Sequence, residues 1–154
     1  MSKILITGVG GYIGSVASDL FLKAGYQVVG IDNFQTGYKK PIEFLENKFG
    51  KDKFQFYEAD LKSDLSTIFK NENNILAVVH YAASCVVDES MKNPFKYFDN
   101  NVSGTANLLS TMDKFGIKNI IFSSTCAVYG EAKYFPIDEK HPLKATTPYG
   151  ASKK

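Results

Sequence analysis

A glycine-rich turn between two regular patterns constrains the fold of this chain more than any other feature. Residues 4–6 are uniformly apolar, and residues 8–14 then carry glycines at the spacing G-x-x-G-x-x-G. A continuous apolar run is typical of a parallel strand, which is buried on both faces. Apolar residues then recur at helical spacing up to Gly25, and a second apolar run at 28–31 ends at Asp32. This pattern predicts a β-α-β unit. The apolar residues of its helix are Ile13, Val16, Ala17, Leu20 and Phe21.

The glycine turn also predicts an anion-binding site. A helix that begins at such a turn, after Gly8, directs unpaired backbone N–H groups and a partial positive charge outward. Gly11 allows a pyrophosphate to approach the backbone, and Gly14 allows the helix to pack closely on the strand. Asp32 follows Gly14 by 18 residues, where a carboxylate can bind an adenosine ribose. Together these features predict a dinucleotide site, with NAD favoured over NADP because the acid repels a 2′-phosphate. The alternative is a tight turn without a ligand.

Composition narrows the class of protein. The 154 residues are 44% hydrophobic and 22% charged, which predicts one globular domain over residues 1–154. The net charge of +2, without a basic block, argues against a nucleic-acid partner. No apolar run reaches the length of a membrane span, and the start leaves no room for a signal peptide. Cys85 and Cys126, without a CxxC motif or clustered histidines, predict no metal site and a cytoplasmic location.

Three more apolar runs complete the predicted sheet. They cover residues 54–57, 75–80 and 119–122. Strands that alternate with helices predict an α/β fold, a doubly wound parallel sheet with right-handed crossovers and strand order 3-2-1-4-5. Residues 131–147 are polar, aromatic and proline-bearing, which indicates a loop.

Further helices are predicted between these strands. One covers residues 42–49, and a short one, capped by Ser63, carries three apolar residues. A long helix begins at Pro94 and ends at Gly116, and a last one begins at Pro148. The apolar residues of the short helix are Leu65, Ile68 and Phe69. The expected apolar stripe of the long helix is Phe98, Val102, Thr105, Leu109 and Met112.

Polar or glycine clusters follow every one of the predicted strands. Ligands of doubly wound sheets bind at the carboxyl ends of the strands, near the point where the strand order reverses. The agreement among these positions predicts a ligand site there. The clusters are residues 8–14, Asp32, Asp60, residues 82–84 and Thr125.

Tyr149 and Lys153 are candidate catalytic residues. They are four positions apart, so they share one face of the last helix. An ammonium beside a tyrosine favours the phenolate, which is a better base, and the hydroxyl of Thr125 could share the proton. The alternative is a solvated helix face. The same spacing recurs at Tyr129 and Lys133, in the predicted loop, and we interpret that copy as chance.

Six segments, in this order, resemble extended short-chain dehydrogenases/reductases and, more narrowly, UDP-glucose (UDP-galactose) 4-epimerases. The segments are residues 7–14 (TGVGGYIG), 31–33 (IDN), 60–61 (DL), 99–105 (DNNVSGT), 123–130 (SSTCAVYG) and 148–153 (PYGASK). The resemblance implies a bound NAD and a 4-keto sugar intermediate. Tyr149 would take the proton of the sugar 4-hydroxyl, and Lys153 would bind the nicotinamide ribose. Thr125 would be their hydroxyl partner, with Ser124 as the second candidate.

The resemblance also implies the residues that hold NAD. Asn101 stays open as an alternative to Asn100, and Cys85 and Cys126 are interpreted as small buried fillers. The implied cofactor residues are Gly8, Gly11, Tyr12, Ile13, Gly14, Asp32, Asn33, Asp60, Leu61, Tyr81, Ala82, Ala83, Asn100, Tyr149 and Lys153.

Departures from the family leave several alternatives open. Nucleotide-sugar dehydratases carry Asp-Glu after the threonine, where this chain has Cys126 and Ala127. A 4-epimerase of another nucleotide sugar, a non-catalytic NAD-binding module, and an interaction protein that uses the helix at 93–115 all stay open. Related enzymes dimerise through that helix and the one at Pro148, of which only the first survives here, and a homodimer is a further expectation. Family members also continue into a carboxyl-terminal domain that grips the UDP-sugar, so we expect an amino-terminal fragment with little or no activity.

Overall fold

The computed structural model describes residues 2–154, which pack as two compact units. The first contains the chain up to Ala82 and Ala106–Ser123, and the second contains Ala83–Thr105 and Ser124–Lys154. The strands are β1 Lys3–Thr7, β2 Gln27–Asp32, β3 Phe54–Glu58, β4 Ile75–His80 and β5 Ile120–Phe122. The α-helices are α1 Tyr12–Lys23, α2 Lys39–Phe49, α3 Ser66–Asn71, α4 Val87–Lys92, α5 Pro94–Tyr97, α6 Gly104–Lys114 and α7 Pro148–Ser152. A π-helical turn spans Phe98–Ser103, and a 3₁₀ turn spans Cys126–Val128.

The strands of the first unit form one parallel sheet in the order β3-β2-β1-β4-β5, so the predicted Rossmann-like, doubly wound fold is confirmed. Thr7 is in register with Ile31 on one side and with His80 on the other. The carboxyl ends of β1, β2 and β4 therefore lie side by side. Among residues 2–154, β5 pairs with β4 alone, and its Ile121 is 59% exposed.

Both faces of the sheet are covered by helices, as the apolar runs predict. Leu22 of α1 and Leu45 of α2 pack in one core, together with Ile6 of β1. Leu108 of α6 packs with Leu5 in the other core, which also contains α3 residues. Neighbouring residues of β1 therefore contribute to opposite cores, and this is why that strand needs an uninterrupted apolar sequence.

The α1 helix forms as predicted, but its buried face differs from the predicted apolar face. Gly14 and Ser18 are buried and face the sheet, whereas Ile13 and Leu20 are 57% and 60% exposed. The buried hydroxyl of Ser18 has a hydrogen-bond partner within the helix, since it donates to the Gly14 carbonyl at 2.8 Å. Small residues face the sheet because they let the helix backbone come close to it.

The helical region that begins at Pro94 also turns a different face inward. It begins at Pro94 as predicted, and Asn93 caps it, since its side chain accepts from the Lys96 N–H at 3.3 Å. The predicted stripe is wrong at Phe98, Val102 and Leu109, which are exposed, whereas Tyr97, Asn101 and Leu108 are buried. The π-helical turn contains one more residue per turn than an α-helix, so it rotates the later positions away from the regular period.

Two smaller predictions have opposite outcomes. Ser63 does not cap α3: its hydroxyl donates to the Asp60 carbonyl, and the carboxylate of Asp64 accepts from the Ser66 N–H at 2.9 Å. Residues 131–147 contain neither helix nor strand, so the predicted loop is confirmed.

Within residues 2–154, none of the helices combines the length and the apolar character needed to span a membrane.

Candidate functional site

The glycine turn brings the end of β1 against the chain that leaves β4. Gly8 has φ +76°, and its N–H donates to the Ile31 carbonyl at 2.8 Å. A Cβ at Gly8 would lie 2.7 Å from the Ala82 nitrogen, so no larger residue fits without moving the backbone. Thr7 reinforces this contact, because its hydroxyl lies 2.6 Å from His80 Nδ1 and accepts from the Ala82 N–H at 3.2 Å.

Gly14 sets the position of the α1 amino terminus. A Cβ on this residue would overlap the carbonyl oxygen of Gly8 and lie 3.0 Å from Val9 Cα. The first turn of α1 begins at Tyr12, and its backbone N–H groups have no acceptor within the helix. The side chains of Tyr12 and Ile13 are 86% and 57% exposed there. The turn therefore presents backbone donors at an accessible helix terminus, as expected of an anion cradle.

Asp32 is largely buried and supports the turn directly. One carboxylate oxygen accepts from the Gly10 N–H at 2.9 Å, and the other accepts from the Phe34 N–H at 2.7 Å. Each carboxylate oxygen can accept two hydrogen bonds, so capacity for a ribose hydroxyl remains. Asp32 thus has a structural role that the sequence pattern did not reveal, in addition to its predicted binding role.

Other predicted cofactor residues of the first unit lie in the loops that follow the strands. The Asn33 amide donates to the Asp60 carboxylate at 3.1 Å, so these two residues are brought together. Leu61 packs against the core that contains Leu108. Tyr81 is half-buried, and its N–H donates to the Thr7 carbonyl at 3.2 Å.

In the second unit, α7 carries the candidate catalytic residue Tyr149, and Lys153 directly follows the helix as its carboxyl-terminal cap. The Thr147 hydroxyl caps it by accepting from the Gly150 N–H at 3.1 Å, and Pro148 occupies its first turn. Tyr149 is half-buried, and its ring lies edge-on to Tyr97, with 6.3 Å between the ring centres. Tyr97 is fully buried, so it forms a fixed support for the Tyr149 ring.

Lys153 is only 5% exposed at the end of α7. This burial disfavours the ammonium and lowers the pKa of Lys153 to about 8, against a weaker opposing effect from Cys85. Its backbone carbonyl accepts from the Ser124 hydroxyl at 3.0 Å. A buried amine of this kind keeps its charge at neutral pH and can interact strongly with a group brought next to it.

The two candidate hydroxyls differ in what they bind. The Ser124 hydroxyl donates its hydrogen to the Lys153 carbonyl, whereas the Thr125 hydroxyl accepts from the Ala127 N–H at 3.2 Å. The Thr125 bond leaves its own hydroxyl hydrogen available for a ligand. This difference supports the choice of Thr125 as the hydroxyl partner of Tyr149.

Asn101 is the polar residue of this unit that sequence reasoning did not identify clearly. It is buried, and its amide binds Ser84 and Ser152. Asn100, the favoured cofactor residue, is half-buried and donates to the Ser84 hydroxyl at 3.2 Å, near the half-buried Ala83. The sequence does contain one signal for this role: two adjacent asparagines, Asn100 and Asn101, within a predicted helix, where a buried side-chain amide needs a hydrogen-bond partner.

Two interpretations made from the sequence can be judged in this unit. The second Tyr-x-x-x-Lys copy does not lie on a helix: the Tyr129 ring packs on His141, and the Lys133 N–H donates to that histidine at 2.9 Å. The interpretation of Cys85 and Cys126 as buried fillers is wrong, because both thiols are free and both residues are exposed.

Comparisons with known proteins give consistent matches. The family model described as GDP-mannose 4,6 dehydratase matches residues 5–154. UDP-glucose 4-epimerase of Lacticaseibacillus casei is 45% identical over 152 residues, which are 97% of this chain and 43% of that protein. The solved UDP-Glc/GlcNAc 4-epimerase of Campylobacter jejuni has a TM-score of 0.93 at 42% identity, covering 99% of this chain and 46% of that one. UDP-glucose 4-epimerase of Bifidobacterium longum, solved in complex with NAD+ and UDP, has a TM-score of 0.93 at 36% identity with the same coverage. This chain therefore spans less than half the length of these relatives.

Proposed function

The chain belongs to the GDP-mannose 4,6 dehydratase family of extended short-chain dehydrogenases/reductases, and we propose that it is the NAD-binding part of a UDP-sugar 4-epimerase. The observation that carries this proposal is the pair at α7: Tyr149 is half-buried, and Lys153, which directly follows the helix, is only 5% exposed. A solvated helix face, the alternative function of this pair, would leave the lysine in water. The burial of Lys153 therefore favours a catalytic role.

The residues of the glycine turn fit a dinucleotide. The close approach at Gly8 and Gly14 leaves the α1 amino terminus open to a pyrophosphate, whose charge the helix dipole favours. Asp32 would accept hydrogen bonds from the adenosine ribose through its remaining lone pairs, beside Asn33. The other residues proposed to contact NAD are Gly11, Tyr12, Ile13, Asp60, Leu61, Tyr81, Ala82, Ala83 and Asn100.

The proposed chemistry uses three side chains of the second unit. Bound NAD supplies reversible hydride transfer at C4 of the sugar. Tyr149 Oη accepts the proton of the 4-hydroxyl as the 4-keto sugar forms, and returns it when the other face of the sugar is reduced. The Lys153 ammonium favours the tyrosinate and binds the nicotinamide ribose. The Thr125 hydroxyl donates its hydrogen toward the 4-oxygen of the sugar and so helps to align this oxygen with Tyr149.

Epimerisation is favoured over dehydration because the residues after Thr125 lack an acid and a base. Cys126 and Ala127 occupy the two positions where dehydratases carry Asp and Glu. A second substrate also has support, since the Campylobacter jejuni relative is described as a UDP-Glc/GlcNAc 4-epimerase. We therefore propose UDP-glucose and UDP-galactose as the substrates, and another UDP-sugar as the alternative.

The 154-residue chain alone should bind NAD weakly and show no significant turnover. It spans 43% of the Lacticaseibacillus casei relative, so contacts to the sugar from the rest of such an enzyme would be missing. The test adds NAD and UDP-galactose to the purified chain and follows UDP-glucose. Turnover comparable to that of the Lacticaseibacillus casei enzyme would contradict this part of the proposal.

The catalytic assignment is tested in a joined chain, in which these 154 residues precede the remaining part of the Lacticaseibacillus casei epimerase. Tyr149→Phe should retain NAD but lose most turnover, because the proton acceptor is removed while the ring stays. Tyr129→Phe is the matched control, since it removes the hydroxyl of the second Tyr-x-x-x-Lys copy. Near-normal turnover of Tyr149→Phe would refute the assignment.

A further inference from the structure

The buried amide of Asn101 joins separate segments of the second unit. Its oxygen accepts from the Ser84 N–H at 2.8 Å, and its nitrogen donates to the Ser84 carbonyl at 3.0 Å. The same nitrogen donates to the Ser152 hydroxyl at 2.9 Å. Both amide hydrogens and the oxygen are therefore committed within the protein. A buried amide with this many partners holds those partners at fixed positions, because each lost bond would leave a polar group without water.

Ser152 connects this amide to the candidate catalytic helix. Its hydroxyl accepts from Asn101 and donates to the Tyr149 carbonyl at 2.8 Å, and it directly precedes Lys153. The helix α7 has five residues, fewer than an isolated helix needs for stability in water. Its geometry therefore depends on side-chain anchors such as this one. The π-helical turn places Asn101 inward, where it can reach Ser152.

We propose that Asn101 and Ser152 are positioning residues for the reaction: the amide fixes Ser152, and Ser152 fixes the turn that carries Tyr149 and Lys153. This inference rests on the proposed function for its catalytic consequence. Neither residue takes part in proton transfer. Their effect is to keep the phenol and the amine at productive positions, and a misplacement of ~1 Å can lower turnover by on the order of 100-fold.

Ser152→Ala is the informative variant, because it breaks the link to α7 and leaves the bonds between Asn101 and Ser84 in place. Ser90→Ala is its matched control. Ser90 is also buried, and its hydroxyl donates to the carbonyl of Val87, three residues earlier in another short helix. The two variants therefore lose the same kind of bond, but only Ser152→Ala loses the contact with Asn101.

The first measurement uses the 154-residue chain and does not depend on turnover. Carbon-13 NMR of labelled lysine follows the titration of Lys153, whose pKa burial lowers to about 8. Ser152→Ala should loosen α7 and move this titration toward the ordinary lysine range, whereas Ser90→Ala and Ser152→Thr should leave it unchanged. An identical Lys153 titration in Ser152→Ala and Ser90→Ala would overturn the inference.

The second measurement uses the joined chain. Ser152→Ala should lower kcat by roughly 10- to 100-fold while KM for UDP-galactose changes by less than about threefold, since the lost interaction serves geometry and not binding. Ser152→Thr, which restores a hydroxyl, should recover turnover. Equal turnover of Ser152→Ala and Ser90→Ala would overturn the positioning role. If the unsubstituted joined chain has no turnover, the proposed function fails, and the Lys153 titration still decides whether Asn101 and Ser152 hold α7.

Discussion

Gly14→Ala should unfold at lower denaturant concentration than the wild-type chain, because the turn leaves no space for one methyl group. The added carbon would overlap the Gly8 carbonyl oxygen and lie 2.7 Å from the Gly8 carbonyl carbon and 3.0 Å from Val9 Cα. All three atoms belong to the backbone, so no side-chain rotation can relieve the contact. The helix α1 would have to move away from β1.

The size of the effect follows from two opposing contributions. Overpacking of a well-packed site costs about 1–3 kcal/mol. Alanine in place of glycine within a helix favours folding by about 1 kcal/mol. The overlap involves backbone on both sides, which places the cost at the upper end of its range. We therefore expect the free energy of unfolding of Gly14→Ala to fall by about 1–2 kcal/mol.

Urea denaturation followed by circular dichroism measures this change in a chain that contains no tryptophan. Gly11→Ala is the control, since its φ of −84° suits alanine and its Cβ would lie 3.3 Å from the Gly8 oxygen. The control should lose clearly less stability. Gly14→Ala should also bind NAD more weakly, because the α1 amino terminus moves. A Gly14→Ala chain as stable as wild type would refute the close-approach argument.

Two further predictions concern charged groups. NAD should bind more tightly than NADP, because the Asp32 carboxylate repels a 2′-phosphate, and Asp32→Ala should narrow the difference; calorimetric titration that finds equal or tighter NADP binding by the wild-type chain would contradict this. The pKa of Lys153 is about 8 in the folded chain and 10.5 for an ordinary lysine. Between these pH values the amine is protonated in the unfolded chain but largely neutral in the folded one. Raising the pH from 8 to 10 should therefore increase the free energy of unfolding through Lys153. Each unit of pKa difference corresponds to about 1.4 kcal/mol. Lys153→Met should lack this increase in stability with pH. Identical urea curves for the wild-type and Lys153→Met chains at each pH would contradict the prediction. These measurements stay below pH 10 because two tyrosines act in the opposite direction above it. Burial raises the pKa of Tyr57 and of Tyr97 to about 12. Above pH 10 both therefore ionise more readily in the unfolded chain, and the free energy of unfolding falls as the pH rises.

The sheet could be predicted because its signals are local. The apolar runs must be continuous when both faces of a strand are covered, and the turn at 8–14 fixes the order strand, turn, helix. Pro148 likewise marked the start of α7 correctly. Each of these features depends on a few consecutive residues, so one sequence is sufficient to reveal it.

The buried faces of the helices could not be predicted because they depend on how closely each helix approaches its neighbours. Gly14 and Ser18 are buried although they are not apolar, since only small residues permit the approach of α1. Asn101 is buried because a π-helical turn changes the period and because Ser84 and Ser152 satisfy its amide. Hydrophobic periodicity assumes a regular helix and an apolar core, and both assumptions fail at these positions.

The exposure of Ile121 at the end of the sheet has a consequence for the colloidal behaviour of the polypeptide. Among residues 2–154, β5 has a neighbouring strand on one side only, so its other side forms an edge of the sheet beside the exposed side chain of Ile121. Such an edge favours the addition of a strand from another molecule. Salts such as sulfate strengthen apolar association, and cooling weakens it. We therefore expect sulfate to lower the solubility of the chain through this edge, and cooling to raise it.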